Sequence, residues 1–252
     1  MRFFDSNVIY GVHPFKPSQF CVPNIVSLKE HLRDACIDYA LVRRYEQLQG
    51  GVILGNKQIA EDIKDTENLW GMWSIVPHLT NEIASPADIC SEMREKRIAA
   101  WQLCPQSHGF PFHYRVLYDY LFLAQAVAIP IFVKVPGEVA SVDMLNVLDN
   151  FPDLAFIISL SDVWPADRFI RPVLQQFPNC KLEISNYLID GAIEEIVECF
   201  GPTRLIFGSG FAESHFGGQM LAIKHAAIDE ASKDLIASGN MLNLIKGIKY
   251  DI

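Results

Sequence analysis

Short apolar runs alternate with longer amphipathic stretches along the whole chain. The runs at Phe3–Ile9, Tyr39–Arg43, Gly71–Val76, Ala99–Leu103, Pro130–Val135, Ala155–Leu160, Cys180–Ser185 and Arg204–Gly208 read as eight strands, each brief and bounded by turn or cap residues. Helical spacing fills the intervals at Ser27–Ala35, Asn56–Lys64, Pro86–Lys96, Tyr114–Val127, Val142–Asn150, Pro165–Phe177, Gly191–Phe200 and Gly218–Ile228, with a last helix at Lys233–Ile245. Runs such as Ile131-Phe132-Val133 and Phe156-Ile157-Ile158 are apolar on both faces, which suits parallel strands covered by helices. Eight strand and helix units in alternation predict an α/β fold, a single (β/α)8 TIM-like barrel over residues 1–252, with a doubly wound open sheet as the alternative.

Several boundaries carry a mechanism. Ser85-Pro86 reads as an N-cap hydroxyl before a proline at the first helical position, where the missing N–H costs nothing. Ser141, Asp190 and Ser232 are further candidate caps. Phe151-Pro152, Phe177-Pro178 and Gly201-Pro202 are helix stops. The stretch from Gly11 to Pro23, with Pro14 and Pro17, reads as one long loop that lies over the mouth of a barrel.

Composition narrows the function. A chain of 252 residues, 50% hydrophobic, can bury one large core. A formal net charge of −9 argues against a nucleic-acid partner, because phosphate binding needs a local excess of Lys and Arg. The start, Met1-Arg2-Phe3-Phe4-Asp5-Ser6, lacks a basic region followed by an apolar run, and no stretch of about 18 apolar residues occurs. We therefore expect a cytoplasmic protein with no membrane partner. Six cysteines at wide spacing, mostly within apolar segments, read as reduced core thiols.

Taken in order, several segments resemble the amidohydrolase superfamily, in particular the amidohydrolase-related barrels that include decarboxylases and lactonases. Phe4-Asp5-Ser6-Asn7-Val8-Ile9-Tyr10-Gly11 is similar to that family's Ile-Asp-x-His-x-His-x-Gly strand, Ala100-Trp101-Gln102-Leu103-Cys104-Pro105 to a Gly-x-Lys-x-x-Pro-like strand end, and Ala128-Ile129-Pro130-Ile131-Phe132-Val133-Lys134 to Gly-x-Pro-x-x-x-His. Phe151-Pro152-Asp153-Leu154-Ala155-Phe156-Ile157-Ile158 resembles Phe-Pro-Asp-Leu-x-Ile-Ile, Pro178-Asn179-Cys180-Lys181-Leu182-Glu183-Ile184-Ser185 resembles Pro-Asn-x-x-x-Asp/Glu-x-Ser, and Arg204-Leu205-Ile206-Phe207-Gly208-Ser209 resembles Arg-x-x-Phe-Gly-Ser. Gly239-Asn240-Met241-Leu242-Asn243-Leu244-Ile245 is similar to a Gly-Asn-Ala-x-x-Leu helix.

The resemblance implies a barrel that binds zinc or manganese and hydrolyses or decarboxylates a small molecule. The ligand positions, however, are changed one by one. The two histidines of the first strand fall on Asn7 and Ile9, that of the fifth on Lys134, that of the sixth on Leu160, and the aspartate of the eighth on Gly210. A zinc or manganese ion needs three or more converging imidazoles, carboxylates or thiolates. Ile9 and Leu160 offer no lone pair, and an ammonium at Lys134 repels a cation. We therefore expect no metal and no cofactor, and the hydroxide-generating chemistry of the family is not available in its usual form. Some members of that family work with one metal or none, so catalysis does not fall with the ligands.

Lys134 ends an apolar strand on the side where barrel active sites sit, which makes it a candidate for Schiff-base chemistry or proton transfer. Its structural alternative is a salt bridge to Asp5 or Glu183. By strand alternation Asp5 and Asn7 share a face, as do Glu183 and Ser185, so these four, with Lys134 and Gln102, are expected to converge on one polar pocket. His78, after the third strand, is a candidate general base, and Asp5 a further acid/base candidate. His13, His108, His113 and His215 fall in mouth loops and could form a displaced metal site; His31 and His225 read as surface residues on helices. One of Arg43 and Arg44 should face inward or upward and could hold a carboxylate or phosphate, Arg43 being the pocket candidate, while an ion pair with acidic loops is the alternative. Phe207-Gly208-Ser209-Gly210-Phe211 is a candidate anion cradle that includes Ser209. The aromatic loop residues Phe15, Phe20, Phe110, Phe112, Trp164, Phe211 and Phe216 suggest an apolar ligand pocket or the interface of a homo-oligomer.

Two functional readings follow. In the first, favoured by hydrocarbon at positions 9 and 160, the chain is a degenerate barrel with a small-molecule pocket or an interaction role. In the second it is a metal-independent hydrolase or decarboxylase acting on a small carboxylated substrate, with Lys134, Arg43 and His78 as its polar groups. A lysine locked to Asp5 or Glu183 would favour the first, and an unpaired lysine beside an open cavity the second.

Overall fold

Strands whose side chains are buried on both faces make the inner wall of the molecule, and helices with one apolar stripe make the outer one. The computed structural model describes residues 1–13, 21–49, 51–162 and 164–250. In chain order the elements are β1 (Phe4–Tyr10), α1 (Ile25–Asp34), β2 (Tyr39–Arg44), α2 (Glu46–Gln49), α3 (Val52–Ile63), β3 (Leu69–Ser74), α4 (Ile89–Glu95), β4 (Ile98–Leu103), α5 (Pro105–His108), α6 (Tyr114–Val127), β5 (Ile131–Val135), α7 (Ser141–Asn150), β6 (Phe156–Leu160), α8 (Asp167–Gln176), β7 (Lys181–Glu183), α9 (Ala192–Phe200), β8 (Leu205–Ile206), α10 (Gly217–His225), α11 (Glu230–Asp234) and α12 (Asn240–Lys246). The strands are parallel and lie in sequence order from β1 to β8. Backbone bonds from Ser6 N to Phe207 O (3.0 Å) and from Ala212 N to Ile9 O (3.1 Å) join the end of β8 to β1. The sheet is thus a (β/α)8 barrel, not the open doubly wound alternative.

Leu28, Ile59, Met93, Leu121, Met144, Ile170, Ile196 and Ile223 are the buried faces of their helices, packed on the outside of the strands. Helices α7, α8 and α9 stop at Asn150, Gln176 and Phe200, in front of the expected proline signals. The start signals fared worse. Ser85 does not cap a helix: its hydroxyl donates to Asp88 Oδ2 (2.7 Å), and α4 opens only at Ile89. Ser141 is already helical behind Ala140, and Gly191, with φ +71°, takes the cap position expected of Asp190. Asp229, not Ser232, caps α11, accepting Ser232 N at 2.9 Å. Helix α3 begins four residues before Asn56 because Gly51, with φ +106°, turns the chain there. Between α11 and α12 the helix widens into a π segment, Leu235–Gly239, whose Ile236 carbonyl accepts Phe207 N (3.0 Å).

Of the six cysteines Cys90, Cys104 and Cys180 are buried, whereas Cys21, Cys36 and Cys199 are exposed, so half are not core residues; all six thiols are free. Among the described residues no helix is long and apolar enough to cross a membrane.

Candidate functional site

Position along β1 sets the floor of the barrel. Asp5 pairs with Ala40 and Val8 with Val42, so β1 carries one extra residue between them, a bulge that falls at Ser6 and Asn7. Asp5 is fully buried and its carboxylate is held by the loop after β8. Oδ1 accepts Ser209 N (2.9 Å) and Asn7 N (3.1 Å), and Oδ2 accepts the Ser209 hydroxyl. The segment expected to cradle an exogenous anion therefore cradles Asp5. Burial pushes this carboxyl up to about 6, against the opposing pull of the Ser209 and Asn7 bonds.

Glu183, at the end of β7, is also fully buried, and its pKa is raised by burial in spite of its hydrogen bonds. Oε2 accepts Asn7 Nδ2 (2.9 Å) and the Ser185 hydroxyl (2.8 Å), and Oε1 accepts Ser185 N (2.6 Å). A Cβ on Gly208 would stand 2.1 Å from Glu183 Oε1, so only glycine leaves room for the carboxylate.

Asn7 links this anion to a cation. Its Oδ1 accepts Arg43 Nη2 (2.8 Å), while Arg43 Nη1 donates to Gln102 Oε1 (3.3 Å) and Gln102 Nε2 to Ser74 Oγ (2.8 Å). The guanidinium lies 5.0 Å from the centroid of the Phe132 ring, and its Nε is buried without a hydrogen-bond partner among the described residues. Arg43 is thus the inward member of its pair. Arg44 takes the ion-pair role instead, bonded to Glu46 (2.8 Å) and Asp62 and lying over the Tyr10 ring. Asp5, Asn7, Arg43, Gln102, Glu183, Ser185 and Ser209 therefore form one hydrogen-bonded layer across the barrel.

Above that layer is a cavity of about 180 Å³ lined by Ile9, Arg43, Leu48, Leu103, Cys104, Phe132, Lys134, Glu138 and Glu213. Lys134 reaches it from β5. The salt bridge to Asp5 or Glu183 does not form, because the acceptor oxygens of both carboxylates are engaged below by Ser209, Ser185 and Asn7. Among the described residues Lys134 has no ion-pair partner. Cys104, fully buried, stays a thiol, its pKa pushed up to about 12 by burial. Glu138, Glu213, Leu48 and Cys104 are site residues that the sequence did not single out. Glu138 lies four positions beyond Lys134, in the loop after the same strand, and that spacing was the available signal.

Other candidates fall elsewhere. His78 is not at the cavity: it opens a 3₁₀ turn, lies 3.6 Å from Asp119 on α6 and meets the Tyr120 ring edge-on. His113 caps α6, and His108 Nε2 contacts Gln47 O at 2.8 Å. His215 lines a separate groove with His31, which is half-buried against Phe211 and not a free surface residue. Phe15 and Phe20, with most of the loop between Gly11 and Pro23, lie outside the described residues. Phe211 and Phe216 stack on each other, and Trp164 lies under Arg168, so these rings do not line the Lys134 cavity. Among the described residues no three His, Cys, Asp or Glu side chains converge to hold a metal ion.

No family model matches the sequence, and no curated protein matches it. Solved structures do. An uncharacterised TIM-barrel protein from Bordetella bronchiseptica is 18% identical with a TM-score of 0.72, covering 98% of this chain and 99% of its own. The 5-carboxyvanillate decarboxylase from Sphingomonas paucimobilis is 12% identical with a TM-score of 0.71 over 98% and 99%. An amidohydrolase II structure is 12% identical with a TM-score of 0.71 over 97% and 99%. The chain therefore has, over nearly its full length, the fold of the amidohydrolase-type (β/α)8 barrels.

Proposed function

We propose that this barrel is a metal-independent descendant of the amidohydrolase-related proteins that binds a small carboxylate at its C-terminal mouth through Lys134 and Arg43. The observation that carries the reading is Lys134, a cation lining a cavity with no ion-pair partner among the described residues. A half-buried charge left unpaired is costly, and an anionic ligand offsets that cost. Zinc or manganese does not fit the donor set, since Ile9 and Leu160 are hydrocarbon and both floor carboxylates are hydrogen-bonded within the protein. The decarboxylase among the similar structures acts on a carboxylated compound by its name, which supports the same ligand class. A cytoplasmic setting, where the free thiols stay reduced, fits this reading.

Ligand-dependent thermal unfolding with a panel of small mono- and dicarboxylates tests it. At least one should raise the melting temperature of the wild type, and Lys134→Met should weaken that ligand about tenfold or more. If no carboxylate stabilises the protein at concentrations on the order of 10 mM, the reading fails.

The unpaired lysine beside a cavity also favours turnover over an inert scaffold. The second reading is a hydrolase or decarboxylase that works without metal, with Lys134 stabilising developing negative charge. Chelator-resistant conversion of a bound carboxylate, abolished in Lys134→Met, would support it. Binding without conversion would confine the protein to ligand capture.

A further inference from the structure

Charges of opposite sign line the mouth cavity without pairing. Arg43 and Lys134 share a space of about 180 Å³ with Glu138 and Glu213, yet among the described residues no ion pair joins any two of them. Three of the four are held by other groups. The Arg43 Nη atoms turn down to Asn7 and Gln102, leaving the buried Nε without a partner. Glu138 is tied to Ser107 on α5, whose backbone N–H it accepts at 3.0 Å together with the hydroxyl. Glu213, in the loop after β8, accepts the Tyr45 hydroxyl at 3.5 Å.

Flexible ions of opposite sign in one small space attract one another and tend to close to contact. Here the strands and their loops keep them apart. A ligand carrying both charges on one short body would complete both half-sites at once. A dicarboxylate would satisfy the cations and set its second charge against the glutamates.

Resting on the carboxylate-pocket reading above, we propose that the cavity recognises a small zwitterion, an amino carboxylate. Its carboxylate faces Lys134 and the Arg43 guanidinium, and its ammonium faces Glu213 and Glu138. Its apolar body lies on Ile9, Leu103 and Phe132, which form the uncharged wall of the same cavity. Four lining charges that sum to zero are matched by a ligand whose charges also sum to zero, so binding leaves no net charge in the site.

Matched ligands test this by calorimetry at pH 7 and low salt. One set is L-valine, its deamino analogue 3-methylbutanoate and its decarboxy analogue 2-methylpropylamine; a second is 4-aminobutanoate with butanoate. At least one amino carboxylate should bind about tenfold or more tightly than its deamino analogue. Glu213→Gln should erase that difference while its affinity for the deamino analogue stays within about threefold, since an amide keeps the shape and removes the charge. Glu213 is exposed, so unchanged thermal unfolding of the variant will show that the fold is intact. If the deamino analogues or a dicarboxylate such as glutarate bind as tightly as the amino carboxylates, or Glu213→Gln leaves the preference in place, the zwitterion is refuted and the carboxylate pocket stands. If neither amino nor simple carboxylates bind, both readings fall.

Discussion

Asp5→Asn interrogates the barrel floor, because it removes an ionisable group while keeping its shape. The folded protein raises this carboxyl from 3.8 to about 6, chiefly by burial. A raised carboxyl pKa means that the native state holds its proton more tightly than the unfolded chain does. The resulting stability is fully present below about pH 4 and is lost as pH rises through 6. Relative to a non-titrating side chain, the cost of keeping Asp5 grows from roughly 0.5 kcal/mol at pH 4 to about 3 kcal/mol at pH 7.5. Asparagine can keep the bonds: its oxygen accepts the Ser209 and Asn7 N–H groups, and its amide donates to a rotated Ser209 hydroxyl. Urea unfolding of both proteins at fixed ionic strength between pH 4 and 7.5 should show the variant gaining about 2.5 kcal/mol on the wild type across that window. A flat difference, or a wild type that gains on Asp5→Asn as pH rises, would mean that the Ser209 and Asn7 bonds outweigh burial and that the carboxylate is comfortable where it lies.

Three further outcomes are expected. Gly208→Ala should destabilise by about 1–3 kcal/mol in denaturant unfolding, because the new methyl would meet Glu183 Oε1 at 2.1 Å and Asn7 Cβ at 3.0 Å in a packed interior; a neutral effect would show that the floor has slack. Arg44→Met should cost about 3 kcal/mol, since it strands Glu46 and Asp62 without their shared cation, and unfolding of the double variant with Glu46→Gln should recover part of the loss. Dialysis against zinc or manganese should leave the protein without stoichiometric metal by elemental analysis and shift its melting temperature by no more than about 1 °C, whereas a bound equivalent would refute the metal-independent reading.

Strand order was legible because eight two-sided apolar runs separated by amphipathic stretches admit few arrangements, and proline placed the ends of α7, α8 and α9 well. Helix starts were not, because a cap depends on which hydroxyl or carboxylate the backbone turns toward. Asp229 reaches Ser232 N, whereas Ser85 turns to Asp88. Of the set expected to converge, Asp5, Asn7, Gln102, Glu183 and Ser185 meet in the polar layer while Lys134 does not, and a bulge at Ser6 and Asn7, not plain strand alternation, sets the geometry of β1 there. The pairings within the layer were not legible. Nothing in the sequence says that Ser209 will take Asp5, or that Ser185 and Asn7 will take Glu183, and those choices leave Lys134 without either carboxylate. His78 was misplaced because a short turn after β3 sends it outward to Asp119, a direction that spacing does not encode.

Asn7 joins the charged groups of this interior. It stands between a buried carboxylate and a guanidinium, and a side-chain amide is a donor at one end and an acceptor at the other. The network fixes its orientation: Nδ2 must face Glu183 and Ser185, and Oδ1 must face Arg43. One neutral group therefore relays between anion and cation, and Gln102 repeats the device, accepting from Arg43 and donating to Ser74. In this layer Glu183 and the Arg43 guanidinium of β2 are hydrogen-bonded to opposite ends of one amide. Arg43 thereby directs one N–H of each Nη to the floor, while its buried Nε has no hydrogen-bond partner among the described residues. Above that layer Lys134 lines the cavity, and among the described residues it has no ion-pair partner.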